Sequence, residues 1–224
     1  MPSTIPSRPE SIELIGGHLA LDLVNTVSWR QDADRWRENL AVPLDLLTWA
    51  HRAALLDEQQ LTAMRLAMAE DVGAAEGVLS RVRELREHLY HHLADCIDHP
   101  GGEQQIRKGS PLHRAFADAV AAGSLAGTPA RWTLQVRSPD DLPRVLALHG
   151  LDLVQTMPRD RLRRCDDDGC GWLFLDTTRN HSRRWCSSGD CGNRDRARRH
   201  YARNRTTPRA DAPSPPRYED QLGG

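Results

Sequence analysis

Cys165, Cys170, Cys186 and Cys191 form two C-x4-C pairs fifteen residues apart, in a chain of 224 residues whose only other cysteine is Cys96. An odd total with four of the five in one cluster argues against a disulfide framework and for a metal site. Zinc takes four soft ligands in a tetrahedron. Two close pairs on separate tight loops deliver them, because each loop turns its two thiols to one point and the intervening segment brings the chain back. The loops have the small residues that such turns need: Gly169 and Gly171 flank Cys170, and Ser187, Ser188 and Gly189 lie between Cys186 and Cys191. Four unrelated free thiols rarely cluster in paired, glycine-flanked fashion. Iron–sulfur centres use the same ligand type, but two symmetric pairs around a short hairpin suit structural zinc better. Four thiolates also fill the tetrahedron and leave no position for a reactive water, so one Zn2+ is expected to hold the fold and do no hydrolysis.

The charge pattern singles out the same region. Formal net charge is −1, and Lys108 is the one lysine among thirty basic residues. A GC-rich genome favours arginine codons and is one source of such a bias, but it does not explain the placement. Residues 1–176 carry 19 basic and 26 acidic groups, residues 177–209 carry 10 and 2, and residues 210–224 carry 1 and 3. A strongly basic island therefore follows an acidic body. From Cys191 the sequence reads as a helix. On a wheel, Asn193, Ala197, His200, Tyr201 and Asn204 share an arc of about 100°, the width of one packed face. Arg194, Arg198 and Arg205 fall on one flank and Arg196, Arg199 and Arg203 on the other. Docked by its Ala197/Tyr201 side, such a helix presents guanidinium groups to phosphates and guanine edges, and Arg183 and Arg184 add to the display. The plainer alternative is a solvated helix face. DNA binding is preferred because arginine concentrates beside a metal-stapled module while the rest of the chain is acidic. RNA suits an arginine-rich helix as well, and a protein-docking module whose arginines meet the acidic body is a further reading.

Upstream, the pattern is mostly helical. A proline-bearing arm over 1–11 precedes Leu19, Leu21, Leu23, Val24 and Val27, whose spacing fits either a buried helix or a short strand. Pro43 sits at the first turn of a helix through Trp49, and Asp57 caps another through Met68. Val78, Val82, Leu85, Leu89, Leu93 and Cys96 mark the core face of a long helix over 73–98. Ser110–Pro111 opens a helix that Gly123 closes. Trp132, Leu134 and Val136 alternate as in a strand, and a last helix starts at Asp140–Asp141. The fold class is mainly α: a helical domain with minor β over 12–158, a small treble-clef-like zinc finger over 160–206, and a disordered Pro/Ser-rich tail over 207–224.

At Cys191-Gly192-Asn193-Arg194 the finger resembles the CGNR zinc-finger family of bacterial proteins, with Phe174, Asp176, Arg184-Trp185-Cys186 and the arginine-rich helix continuing the likeness over about 165–205. Gly17 to Thr26, reading G-H-L-A-L-D-L-V-N-T, is similar to the opening of the helical ABATE domain that accompanies this finger. The resemblance implies a stress-responsive transcription regulator, with the finger contacting DNA and the helical domain as sensor. Arg194 beside a metal ligand reads more readily as a brace to Asp176 or Asp190 than as a phosphate contact.

His18, Asp22, Asn25 and Thr26 are candidates to line a small-molecule pocket. The alternative is a buried polar network that caps and pins the first helix. No Walker, Rossmann or nucleophile-elbow pattern occurs, so no enzyme is expected. No run approaches the 18 or so apolar residues of a membrane helix, and Met1 to Leu14 lacks the regions of a signal peptide, so the expected location is the cytoplasm without membrane contact. One short finger buries little surface for operator affinity, which makes a homodimer plausible.

Overall fold

The computed structural model describes residues 12–206, with side chains as far as residue 203. The expected arm over 1–11 and tail over 207–224 lie outside the described residues. Seven α-helices and three two-stranded antiparallel sheets order the described chain. The segment whose period was undecided contains both elements: α1 (Leu19–Val24) is followed by β1 (Val27–Ser28), which pairs with β2 (Arg37–Glu38). The chain then runs through α2 (Pro43–Arg52), α3 (Glu58–Glu70) and α4 (Val72–Asp98). Pro43 and Asp57 act as the sequence indicates: Pro43 starts α2, and Asp57 forms a capping box with Gln60. Next come α5 (Pro111–Ala122), capped by Ser110, the hairpin β3 (Ser124–Ala126) and β4 (Arg131–Thr133), and α6 (Asp141–Thr156).

The long helix α4 is the axis of the body, in contact with α1, α2, α3, α5 and α6. Its stripe of Val78, Val82, Leu85, Leu89 and Leu93 is buried together with Leu21, Trp49 and Leu146 in one core, each such side chain contributing about 1.5–3 kcal/mol on leaving water. Arg86 on the same helix is also buried. It meets Glu38 bidentately at 2.7 and 2.6 Å, Thr26 Oγ1 at 3.0 Å and Glu87 at 2.8 Å, so a charge is tolerated in the core because its donors are matched. Of the alternating run, only Arg131–Thr133 is laddered. Leu134 and Val136 keep the inward alternation, but the strand ends at Thr133 and they lie on an irregular segment.

After α6 the chain forms β5 (Leu162–Arg164), the first cysteine loop and β6 (Leu173–Leu175), and α7 (Cys191–Thr206) begins at the last cysteine. The hairpin partner of β6 thus lies before the first cysteine pair, so this pair closes the hairpin tip instead of preceding it. Composition changes at Arg161, but packing does not break there: Leu162 and Leu173 belong to the helical core. Asn25 fastens the seam, its amide accepting from Leu173 N–H at 2.9 Å and donating to Leu173 O at 2.8 Å. No helix of the described residues is long and apolar enough to cross a membrane.

Candidate metal centre and basic helix

The four predicted ligands come together. Their sulfurs all lie within 4.8 Å of one another, with Cys170–Cys186 and Cys170–Cys191 at 3.7 Å and Cys186–Cys191 at 3.4 Å. Zn–S bonds of about 2.3 Å in a tetrahedron place sulfurs about 3.8 Å apart, so a cage of this size suits one zinc ion. All four are buried, in a small apolar cluster with Phe174 that is covered by Ile15, Trp172 and Trp185. Thiols this close share protons: hydrogen bonding to the other three draws the Cys165 thiol far down, and the same crowding pushes Cys186 and Cys191 up. A divalent cation replaces the shared protons, because the ligands bind as thiolates.

Support around the sulfurs comes from both halves of the chain. Cys186 N–H donates to Cys165 Sγ at 3.3 Å and Arg194 Nη2 to Cys191 Sγ at 2.8 Å, offsetting thiolate charge. The first loop is pressed against the segment after β1. Arg30 N–H and Gln31 N–H donate to the carbonyls of Cys170 and Gly169, and a Cβ on Gly169 would come within 2.8 Å of Asp32 and one on Gly171 within 2.9 Å of Arg30. Both glycines also have positive φ, so conformation and close approach each require them. Trp172 Nε1 donates to Val27 O at 2.8 Å.

Asp167 is the residue the sequence reading missed. Its side chain is fully buried, it accepts from Arg194 Nε at 2.9 Å, and it meets Arg198 Nη1 at 2.7 Å. The brace for Arg194 is therefore Asp167 together with Asp190, not Asp176, which holds the loop of Thr178 and Arg183 instead. Burial works against the Arg194 charge, but Asp167, the Cys191 sulfur and Asp190 outweigh it and hold its pKa above the ordinary guanidinium value. Its guanidinium also stacks on Trp29 at 4.6 Å. The available signal was the acidic run Asp166-Asp167-Asp168 inside the first cysteine pair, opposite arginines spaced i, i+4.

This clamp overturns the expected docking face of α7. Ala197, His200 and Tyr201 are exposed, Tyr201 by 68%, and the helix is held through its Arg194/Arg198 flank. Helix α7 is so rich in charge that its two alanines and one tyrosine cannot form an apolar stripe, and the buried carboxylate decides the orientation. Arg183 is likewise not on the surface display. It donates to the half-buried carbonyls of Ile15, Trp185 and Cys186 and lies over Phe174 at 4.1 Å, so its donors are spent within the fold. Arg184 pairs with Asp166 on the surface, and Arg199 with Asp195, and both guanidiniums flank Trp185. Arg196 is exposed and bonds Ser188 O and Asn193, and Arg203 is exposed on the same run. The side chain of Arg205 lies outside the described part.

His18, Asp22, Asn25 and Thr26 form the polar network that pins α1. His18 caps the helix, accepting from Ala20 N–H at 3.2 Å, Asp22 accepts from Gly16 N–H at 2.8 Å, and Thr26 Oγ1 donates to Leu23 O at 2.7 Å. With Asn25 spent on Leu173, no polar group of these last three faces a cavity described below. Burial pushes the Asp22 carboxyl from its ordinary 3.8 up to about 6, against the pull of Gly16 N–H and His18. The folded chain thus holds this proton more tightly than the unfolded chain. The stability it contributes is complete below pH 3.8 and is lost as pH rises through about 6. Asp22→Asn keeps an acceptor for Gly16 but cannot ionise. It should match the parent near pH 4 and exceed it by about 2 kcal/mol at pH 7 in urea unfolding. A constant difference across that range would refute the assignment.

A helical body carrying a buried four-cysteine site that leads into an arginine-rich helix defines a zinc-finger protein. The chain belongs to the ABATE family, described as a putative stress-induced transcription regulator, which matches residues 17–160. Residues 161–204 match the CGNR zinc finger. No curated protein matches the chain.

Proposed function

We propose that this protein is a cytoplasmic, non-enzymatic transcription regulator that binds DNA through α7, with the helical body responding to an effector. The observation that carries this reading is the outer run of α7, where Arg196, Arg199 and Arg203 stand exposed at i, i+3 and i+7 beside Arg184, on a helix whose other flank is pinned at the metal centre. The Arg184–Asp166 pair on that surface is solvent-exposed and so worth little, about 0–1 kcal/mol, and gives way readily to phosphate. Zinc holds the start of α7 against the body and has no open position for chemistry. A second copy would supply the half-site contacts that one helix lacks.

Full-length zinc-loaded protein titrated into labelled duplex should bind more weakly as salt rises. Arg196→Ala combined with Arg199→Ala should flatten the slope of log affinity against log salt by about 2, at about 0.9 per phosphate contact. No shift at low salt, or an unchanged slope in the double variant, contradicts the reading. A stronger shift with an RNA duplex would redirect it to RNA.

A further inference from the structure

Between α6 and the segment of β4 and the residues that follow it lies a cavity of about 830 Å³, lined by neither the zinc ligands nor the arginines of α7. Its volume falls in the range of small-molecule sites, about 300–1,000 Å³. Val145, Leu148 and Leu151 of α6 form one wall, and Trp132 and Leu134 the other. The charges on the lining are unbalanced: Arg131 and Arg137 stand against a single carboxylate, Asp152. Both Asp152 oxygens are engaged, one by Arg131 Nη1 and the other by His18 Nε2 at 3.2 Å. A cationic ligand would therefore have to displace two donors. Arg137 meets the amide oxygen of Gln135 at 3.0 Å. A guanidinium carries five N–H donors, so neither contact exhausts its arginine. His149 also lines the cavity; burial first, and His18 next, hold its imidazole below the ordinary value, against the pull of Asp152.

We propose that this cavity binds a small organic acid with an apolar body, the body lying between Trp132 and Leu148 and the carboxylate taken by Arg131. Apolar walls supply affinity and the surplus guanidinium charge sets the head group. The site also adjoins the seam to the finger. Asp152 holds His18, His18 caps α1, and the segment around α1 meets β6 through Asn25 with Leu173 and through Leu175 N–H with Gly16 O. The proposal deepens the effector half of the function above and rests on that reading for its consequence, though not for binding itself.

Calorimetric titration of full-length zinc-loaded protein with 4-phenylbutanoate, and with the neutral 4-phenylbutanamide, tests it. The acid should bind with the amide at least about tenfold weaker, as the loss of a charge-assisted hydrogen bond implies. Arg131→Gln should weaken the acid about tenfold and leave the amide unchanged, and Arg131→Lys should recover part of the acid affinity. Leu151→Trp, which fills a half-buried wall, should weaken both. No saturable heat with the acid, equal affinity for acid and amide, or acid affinity untouched in Arg131→Gln or in Leu151→Trp would overturn the proposal. No DNA is present in these titrations, so their failure leaves the DNA reading standing, and a failed DNA titration leaves the cavity result standing.

Discussion

Cys186→Ser should abolish stoichiometric zinc and lower the stability of the whole chain, not only of the finger. Removing a ligand should weaken zinc by more than the ten- to hundredfold that a supporting neighbour is worth. Structural zinc in small fingers contributes about 10–16 kcal/mol of apparent binding free energy, comparable to the entire stability of a domain, about 5–15 kcal/mol. The loss spreads because Leu162 and Leu173 lie in the helical core and because the Gly169 and Cys170 carbonyls accept from Arg30 and Gln31. Metal content per chain, together with urea unfolding followed by helical signal, checks both parts. Cys96→Ser is the control: Cys96 sits on α4 outside the cluster, so that variant should keep its zinc. Full zinc retention in Cys186→Ser, or an unfolding midpoint unmoved by chelator, would count against the metal assignment.

Arg86→Met should destabilise the fold by about 3–5 kcal/mol, the usual cost of stranding one partner of a buried ion pair. Arg86 is 3% exposed, and its removal leaves Glu38 without its bidentate partner and Thr26 Oγ1 without its donor. Urea denaturation measures the loss. Adding Glu38→Gln should restore part of it, since the stranded charge is then gone, and a double variant worse than Arg86→Met alone would show that the pair is not the cause. Glu87 is held below the ordinary carboxylate range: burial opposes its charge, but Arg30 and Arg86 together outweigh burial. Arg30, in turn, offers its backbone N–H to Cys170 O. Loss of Arg86 should therefore also make zinc easier to strip.

What the sequence made legible is what rests on local rules. The caps at Asp57 and Ser110, Pro43 at a helix start and the apolar stripe of α4 each depend on residues a few positions apart. The four ligands were readable for a similar reason: paired thiols with glycine neighbours are a local pattern, whatever the rest of the chain does. The orientation of α7 was not readable, because it depends on Asp167, which lies 27 residues before Arg194. A wheel ranks faces by apolarity and gives no weight to a buried carboxylate. Arg183 was misread for the same reason: an arginine in a basic run looks solvent-facing until it is known to donate to the carbonyls of Ile15 and Cys186. Asn25 was readable as a polar helix-end residue but not as half of a two-bond pairing with Leu173, 148 positions away.

The two glycines that let the first cysteine loop touch the segment after β1 bear on how such chains can be recombined. Although the two family matches meet between residues 160 and 161, the finger is not a cassette. A graft of residues 161–204 onto a foreign scaffold would leave the carbonyls of Gly169 and Cys170 without Arg30 and Gln31, and Leu173 without Asn25. A working chimera would have to carry the stretch from Ile12 to Asn39 along with the finger, so inheritance of the metal site is tied to a piece of the body more than a hundred residues away in sequence.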